Sequence, residues 1–129
     1  MNYLGVDYGD KKIGLSISPG KLAEPYRVIR YTDEESAFEE IAEILEKEKI
    51  DEVVVGLSEN ESFIKAKRFG QKIDLELDVH VEFVDETLST HDAQMLSLES
   101  GMNRKKRKNL EDAFAATLIL QKYLDGLKN

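Results

Sequence analysis

Asp7 and Asp112 are acidic residues set among apolar ones, and each stands where a carboxylate could do chemistry. Asp7 closes the run Leu4-Gly5-Val6, just before the tight connection Gly9-Asp10-Lys11-Lys12. A carboxylate at the rim of a sheet can meet a phosphate or a metal ion there, because Gly5 and Gly9 lack side chains and open the backbone. Asp is also a common turn residue, and that plainer reading stands beside the first. Asp112 falls in line with Ala116, Ile119 and Tyr123 at helical spacing. A metal would account for it, and so would a favourable interaction with the helix N-terminus, worth about 0.3–1 kcal/mol. The chain has no cysteine, which excludes thiol catalysis, disulfides and cysteine-bound zinc. His80 and His91 are isolated in the sequence and read as structural or surface residues.

The elements that must position the aspartates follow from periodicity. Leu4 to Val6 and Ile13 to Ile17 form a hairpin, and its second strand alternates Ile13, Leu15 and Ile17 with Gly14 and Ser16, so that one face is greasy and the other small. Tyr26 to Tyr31, after Pro25, suits a strand near the sheet edge. Thr32 or Asp33 can cap a helix carrying Phe38, Ile41, Ala42 and Leu45. Asp51 to Leu57 contains a continuous valine run, as in a parallel strand buried on both sides. A second helix follows with Phe63, Ala66, Phe69, Gly70 and Ile73 on its apolar side, and Val79 to Val84 makes a fifth strand. Ser89 or Thr90 can cap a third helix through Leu98, and a last helix runs from about Leu110 to Leu127, nearly all apolar between Ala113 and Leu120. The expected fold class is α/β, a single domain over residues 1–129 with a mixed five-stranded sheet in the order 3-2-1-4-5 flanked by helices. Without a long apolar run or a secretory leader, a cytoplasmic protein with no membrane partner is expected.

The formal net charge of −8 argues at first sight against a nucleic-acid partner. Its distribution argues the other way. Residues 1–31 carry five basic and three acidic groups, residues 32–99 six and twenty, and residues 100–129 seven and three. The basic ends could meet in space and present a phosphate-binding surface on an acidic protein. Arg104, Lys105, Lys106, Arg107 and Lys108 form the densest basic stretch, just before Asp112, and Lys11 with Lys12 could extend it as a track for a nucleic-acid backbone.

Taken together, Gly5-Val6-Asp7-Tyr8-Gly9 with Lys11-Lys12-Ile13-Gly14, Val54-Val55-Gly56-Leu57, Asp85-Glu86-Thr87-Leu88-Ser89-Thr90, and Asp112 ahead of Ala115-Ala116 and Ile119 to Leu124 resemble the YqgF family, also called RuvX. The resemblance spans the whole chain in order. It implies a ribonuclease H-like fold and a nuclease that matures the 5′ end of pre-16S rRNA in ribosome biogenesis. An older inference for the family is Holliday junction resolution on branched DNA. Carried over by position, the family's catalytic acids are Asp7, Glu86 and Asp112. Two departures stand out: Ser58-Glu59 replaces the family's usual Pro-Leu after Val-Gly-Leu, and Thr87 stands where Arg is usual. An arginine can grip a phosphate with two parallel bonds and a threonine cannot.

The expected chemistry is metal-dependent hydrolysis of phosphodiester bonds. Mg²⁺ or Mn²⁺, as two ions about 3.5–4 Å apart, would take oxygen ligands from Asp7, Glu86 and Asp112. In this strand order the fifth strand lies two strands from the first, roughly 10 Å away. Glu59, at the end of the neighbouring fourth strand, is therefore the alternative ligand. The partner implied is structured RNA, such as pre-16S rRNA, or branched DNA, with a homodimer as one assembly. Two other classes compete: a catalytically inactive RNA- or ribosome-binding protein, and a fragment of an actin-like ATPase, which also opens on a glycine-flanked Asp.

Overall fold

The computed structural model describes residues 1–57, 62–85 and 111–127. Five strands, β1 (Tyr3–Tyr8), β2 (Lys12–Ser18), β3 (Glu24–Arg30), β4 (Glu52–Leu57) and β5 (His80–Asp85), form one sheet in the order β3-β2-β1-β4-β5. The first three run antiparallel, whereas β4 and β5 pair in parallel with their neighbours. The expected order is the one found. The third strand starts two residues earlier than its apolar run suggested and takes in Pro25, which an edge strand tolerates because one side of its backbone needs no partner.

Alternation along β1 divides its side chains between two layers. Leu4, Val6 and Tyr8 join a core with α1 (Glu34–Lys47) and α2 (Ser62–Leu77), whereas Tyr3 packs in a second cluster with α3 (Glu111–Leu127). Asp33 caps α1, its carboxylate accepting from the Glu35 backbone N–H, and Ala37, Phe38, Ile41, Ile44 and Leu45 form the buried stripe. In α2, Ala66, Phe69 and Ile73 are buried, while Phe63, expected on the apolar side, is 39% exposed. Phe69 joins the layer together, its ring centroid 5.0 Å from Tyr8 and 6.3 Å from Phe38. Val53, Val54 and Val55 are wholly buried, as a central strand covered on both faces requires.

The other face is built for close approach. The Ser16 hydroxyl, fully buried, donates to the Ala116 carbonyl at 2.8 Å. A Cβ added to Gly5 would stand 2.9 Å from that same carbonyl and 2.9 Å from Leu120 Cβ. One added to Gly56 would stand 2.5 Å from Ile119 Cδ1. The small residues expected on this face thus admit a helix backbone. Among the described residues, no helix is long and apolar enough to cross a membrane.

The obstacles at Gly5 are the buried Ser16 hydroxyl and the Ala116 backbone carbonyl that it bonds, which have little room to give way, and the obstacle at Gly56 is the end of a flexible side chain. Gly5→Ala should therefore cost about 1–3 kcal/mol, and Gly56→Ala distinctly less. Urea unfolding of both variants checks the order, and equal losses would contradict it.

Candidate nucleic-acid processing site

Asp7 shares its face of β1 with Tyr3 and Gly5, the face that α3 covers, and it is half-buried. It pairs in register with Gly14 of β2, at the end of the central strand. The direction of α3 is set by three contacts. The Tyr123 hydroxyl donates to Glu52 at the start of β4, Ile119 lies over Gly56, and the Ala116 carbonyl lies over Gly5. The line 116, 119, 123 therefore faces the sheet, as its spacing suggested. Position 112 continues that line one turn toward the helix start. By that spacing position 112 would lie toward the Asp7 end of this face.

Gly5 and Gly9 do not play the part expected of them. The space over Gly5 is filled by Ser16, Ala116 and Leu120, and a Cβ on Gly9 would meet the Lys12 carbonyl oxygen at 2.6 Å. These glycines serve helix packing and the hairpin turn, and ligand approach is not what requires them.

Lys12 is exposed and shares the Asp7 face of β2, because Ile13 and Leu15 point into the opposite core. Its register partner on β3 is Arg30, also exposed. Sequence reading passed over Arg30, which only the pairing of β2 with β3 brings beside Lys12. Lys11 is exposed in the turn. Behind the turn, on the α1/α2 side, lies a cleft of about 550 Å³ lined in part by Tyr8, Tyr31, Glu34, Lys65 and Arg68. Tyr31 donates to the Gly9 carbonyl and Tyr8 to Glu34 at 3.0 Å, and Lys65 pairs with Asp10 at 3.2 Å. The turn after Asp7 is thus held from behind. Burial and then these neighbours push the Tyr8 pKa far up, so the phenol keeps its proton.

Glu59, Glu86 and the stretch Arg104, Lys105, Lys106, Arg107 and Lys108 lie outside the described residues, as do Ser58, Thr87, His91 and the helix expected from Ser89 or Thr90 through Leu98. His80 is not isolated. Its ring contacts Glu82 at 2.6 Å and Glu52 at 3.5 Å, and hydrogen bonding to Glu82 is the main cause that raises its pKa.

The RuvX family, described as Holliday junction resolvase, matches residues 1–126. The chain belongs to the RuvX family. It is 38% identical over 135 residues to a protein of Clostridium botulinum (strain Alaska E43 / Type E3), and 39% identical over 138 residues to one of Caldanaerobacter subterraneus subsp. tengcongensis. Both are named "Putative pre-16S rRNA nuclease". The matches cover 98% of this chain and 98% of the first protein, and 100% of this chain and 99% of the second. Among solved structures, Thermus thermophilus RuvC with a Holliday junction substrate superposes with TM-score 0.66 at 16% identity, covering 100% of this chain and 96% of that one. Fowlpox virus resolvase with Holliday junction DNA gives 0.70 at 13% identity, covering 100% of both. The fold is accordingly the ribonuclease H-like fold of these resolvases, and the RuvX resemblance read from the sequence is borne out.

The Ser16 hydroxyl is the polar link between sheet and helix next to Asp7. Ser16→Ala should lower stability by about 0.5–1.5 kcal/mol. Thermal and urea unfolding measure it, and no loss would mean that packing alone seats α3.

Proposed function

We propose that this RuvX-family chain is a metal-dependent nuclease acting on structured RNA, with the 5′ end of pre-16S rRNA as its substrate. The observation that supports the reading is a half-buried Asp7 at the end of the central strand, on the face where the helical line 116, 119, 123 lies, a line that position 112 extends by its spacing. Full-length relatives bearing that substrate in their names support it. Branched DNA is the second reading, favoured by the family's description. In either case the whole chain, 1–129, acts as one cytoplasmic domain, alone or as a homodimer.

Asp7, Glu86 and Asp112 are the proposed metal ligands, with Glu59 as the alternative to Glu86. Carboxylates suit hard cations, Mg²⁺ or Mn²⁺, and His80, the histidine among the described residues, lies at the other end of the sheet. Two such ions, when bound, would activate an attacking water and neutralise the leaving oxygen. The chain's own residues bind and orient. Asp7 is held by the central strand, so it fixes where the scissile phosphate must come. Lys11, Lys12 and Arg30 at the rim, with Arg104 to Lys108, contact flanking phosphates without reading bases. Ser58 and Thr87 bear on turnover, so an inactive RNA-binding protein is the outcome to test against.

Asp7→Asn and Asp112→Asn should each lower Mn²⁺-dependent cleavage of a pre-16S rRNA fragment by about 100-fold or more, since even partners of ligands are worth 10–100-fold, while circular dichroism stays unchanged. Wild-type protein that binds the fragment and never cuts it supports the inactive reading. Cleavage confined to four-way DNA junctions supports the second.

The basic track is tested by salt. Replacing Lys105 and Lys106 together with Ala should reduce the slope of log affinity against log salt by about 1.4–1.8, at 0.7–0.9 for each phosphate that is no longer neutralised. An unchanged slope removes that stretch from the interface.

A further inference from the structure

At the opposite end of the sheet from Asp7, three donor groups converge. Glu52 and His80 begin β4 and β5 and are register partners, and Glu82 follows two residues along β5, so all three leave the same face. His80 Nε2 lies 2.6 Å from Glu82 Oε1 and 3.5 Å from Glu52 Oε1, and one ligand atom from each residue lies within 4.8 Å of the other two. Glu52 is only 9% exposed. Its second oxygen, Oε2, accepts a hydrogen bond from the Tyr123 hydroxyl at 2.9 Å. That bond leaves Oε1 directed at the imidazole.

Two carboxylates this close, one of them nearly buried, favour a cation between them; a protonated His80 can supply one charge, and a divalent ion bound by all three groups would supply two. Imidazole with two carboxylates is a donor set for borderline ions such as Zn²⁺, where Mg²⁺ prefers oxygen alone. Bonds of about 2.0–2.2 Å in a tetrahedron place ligand atoms roughly 3.3–3.6 Å apart, and the spacings of 2.6 and 3.5 Å here run up into that range. Only His80 and Glu82 need adjust, and their side chains are 58% and 43% exposed. Tyr123 would serve as the outer partner that orients a ligating carboxylate.

The cluster is separate from the Asp7 end. Glu52 is level with Tyr3, and Asp7 lies four residues farther along β1, roughly 13 Å at strand rise. No ion with bonds of about 2 Å could serve both. We propose that Glu52, His80 and Glu82 form a second metal site, for a zinc-like divalent ion. It clamps edge strand β5 to β4 and, through Tyr123, to the last turns of α3. This inference does not depend on the nuclease reading.

The test is calorimetric titration of the full-length chain with Zn²⁺ in excess Mg²⁺, which occupies oxygen-only sites. One Zn²⁺ per chain should bind, with affinity lowered at least about tenfold by His80→Ala and by Glu82→Gln but unchanged by Asp7→Asn. Co²⁺ in place of Zn²⁺ should give visible absorption that His80→Ala abolishes. Glu82→Gln, on an exposed side chain, should melt like wild type without metal, whereas His80→Ala also removes the imidazole beside Glu52, so its metal-free unfolding midpoint is measured alongside its Zn²⁺ affinity. Absence of Zn²⁺ uptake, uptake that survives His80→Ala, or uptake lost in Asp7→Asn would overturn the proposal.

Discussion

The structure depends on how closely α3 lies against the sheet. Gly5 and Gly56 present no side chain to it, and Ser16 turns what would be a gap into a hydrogen bond with the Ala116 carbonyl. The helix is fastened again near its C-terminal end. Tyr123 bonds Glu52, and Gln121 accepts from the Ala23 backbone N–H and donates to the Lys21 carbonyl. These anchors lie away from position 112, and that separation matters. A carboxylate set at the end of a sheet gains nothing from drawing another toward it, because like charges repel, so the path of the helix over this face cannot come from its acids. Remote packing must supply it.

The two faces of the sheet accordingly do different work. The α1/α2 face carries large side chains, Leu4, Val6, Ile13, Leu15, Phe38, Ile41, Phe69 and Ile73, each nearly or wholly buried. Burial on this scale is worth roughly 1.5–3 kcal/mol for each large side chain, and it holds the strands in register. The α3 face carries small residues and buries less, but it determines where a helix backbone must run. Asp7 and Tyr8 are neighbours in sequence on opposite faces, one toward α3 and one tied to Glu34. A one-residue slip of β1 would exchange them, so the apolar core protects the position of the acid.

Much of this was legible in the residues. The alternation of Ile13, Leu15 and Ile17 with Gly14 and Ser16 announced a strand with one small face, and the valine run of β4 announced a strand covered on both sides. The stripe 116, 119, 123 lies on the sheet as its spacing implied. What was not legible depends on partners distant in sequence. Gly5 looked like an opening for a ligand because nothing near it in the chain reveals that Ala116 and Leu120 occupy the space. His80 looked solitary, although Glu82 stands two residues on, because only the pairing of β4 with β5 brings Glu52, 28 positions earlier, to its other side. The ends of α1 and α2 also lack the usual signal, since Lys49 and Asp78 take positive φ angles, of 52° and 50°, where glycine is the common choice.

The charge distribution completes the case for a polyanion partner on a chain of net charge −8. Glu34, Glu35, Glu39, Glu40, Glu43 and Glu46 all belong to α1, on the face of the sheet away from Asp7. Arg27 and Lys72 neutralise two of them through pairs with Glu40 and Glu35, at 3.1 and 2.8 Å. A sheet and a buried layer of side chains separate this helix from Lys12 and Arg30 on the other face. That thickness exceeds the screening length of about 8 Å at physiological salt. A phosphate chain approaching the Asp7 end would meet the near field of the rim, where basic residues stand, before it felt the acidic helix behind. Net charge is then a poor guide to this surface, because binding is decided within one screening length of the approaching phosphate.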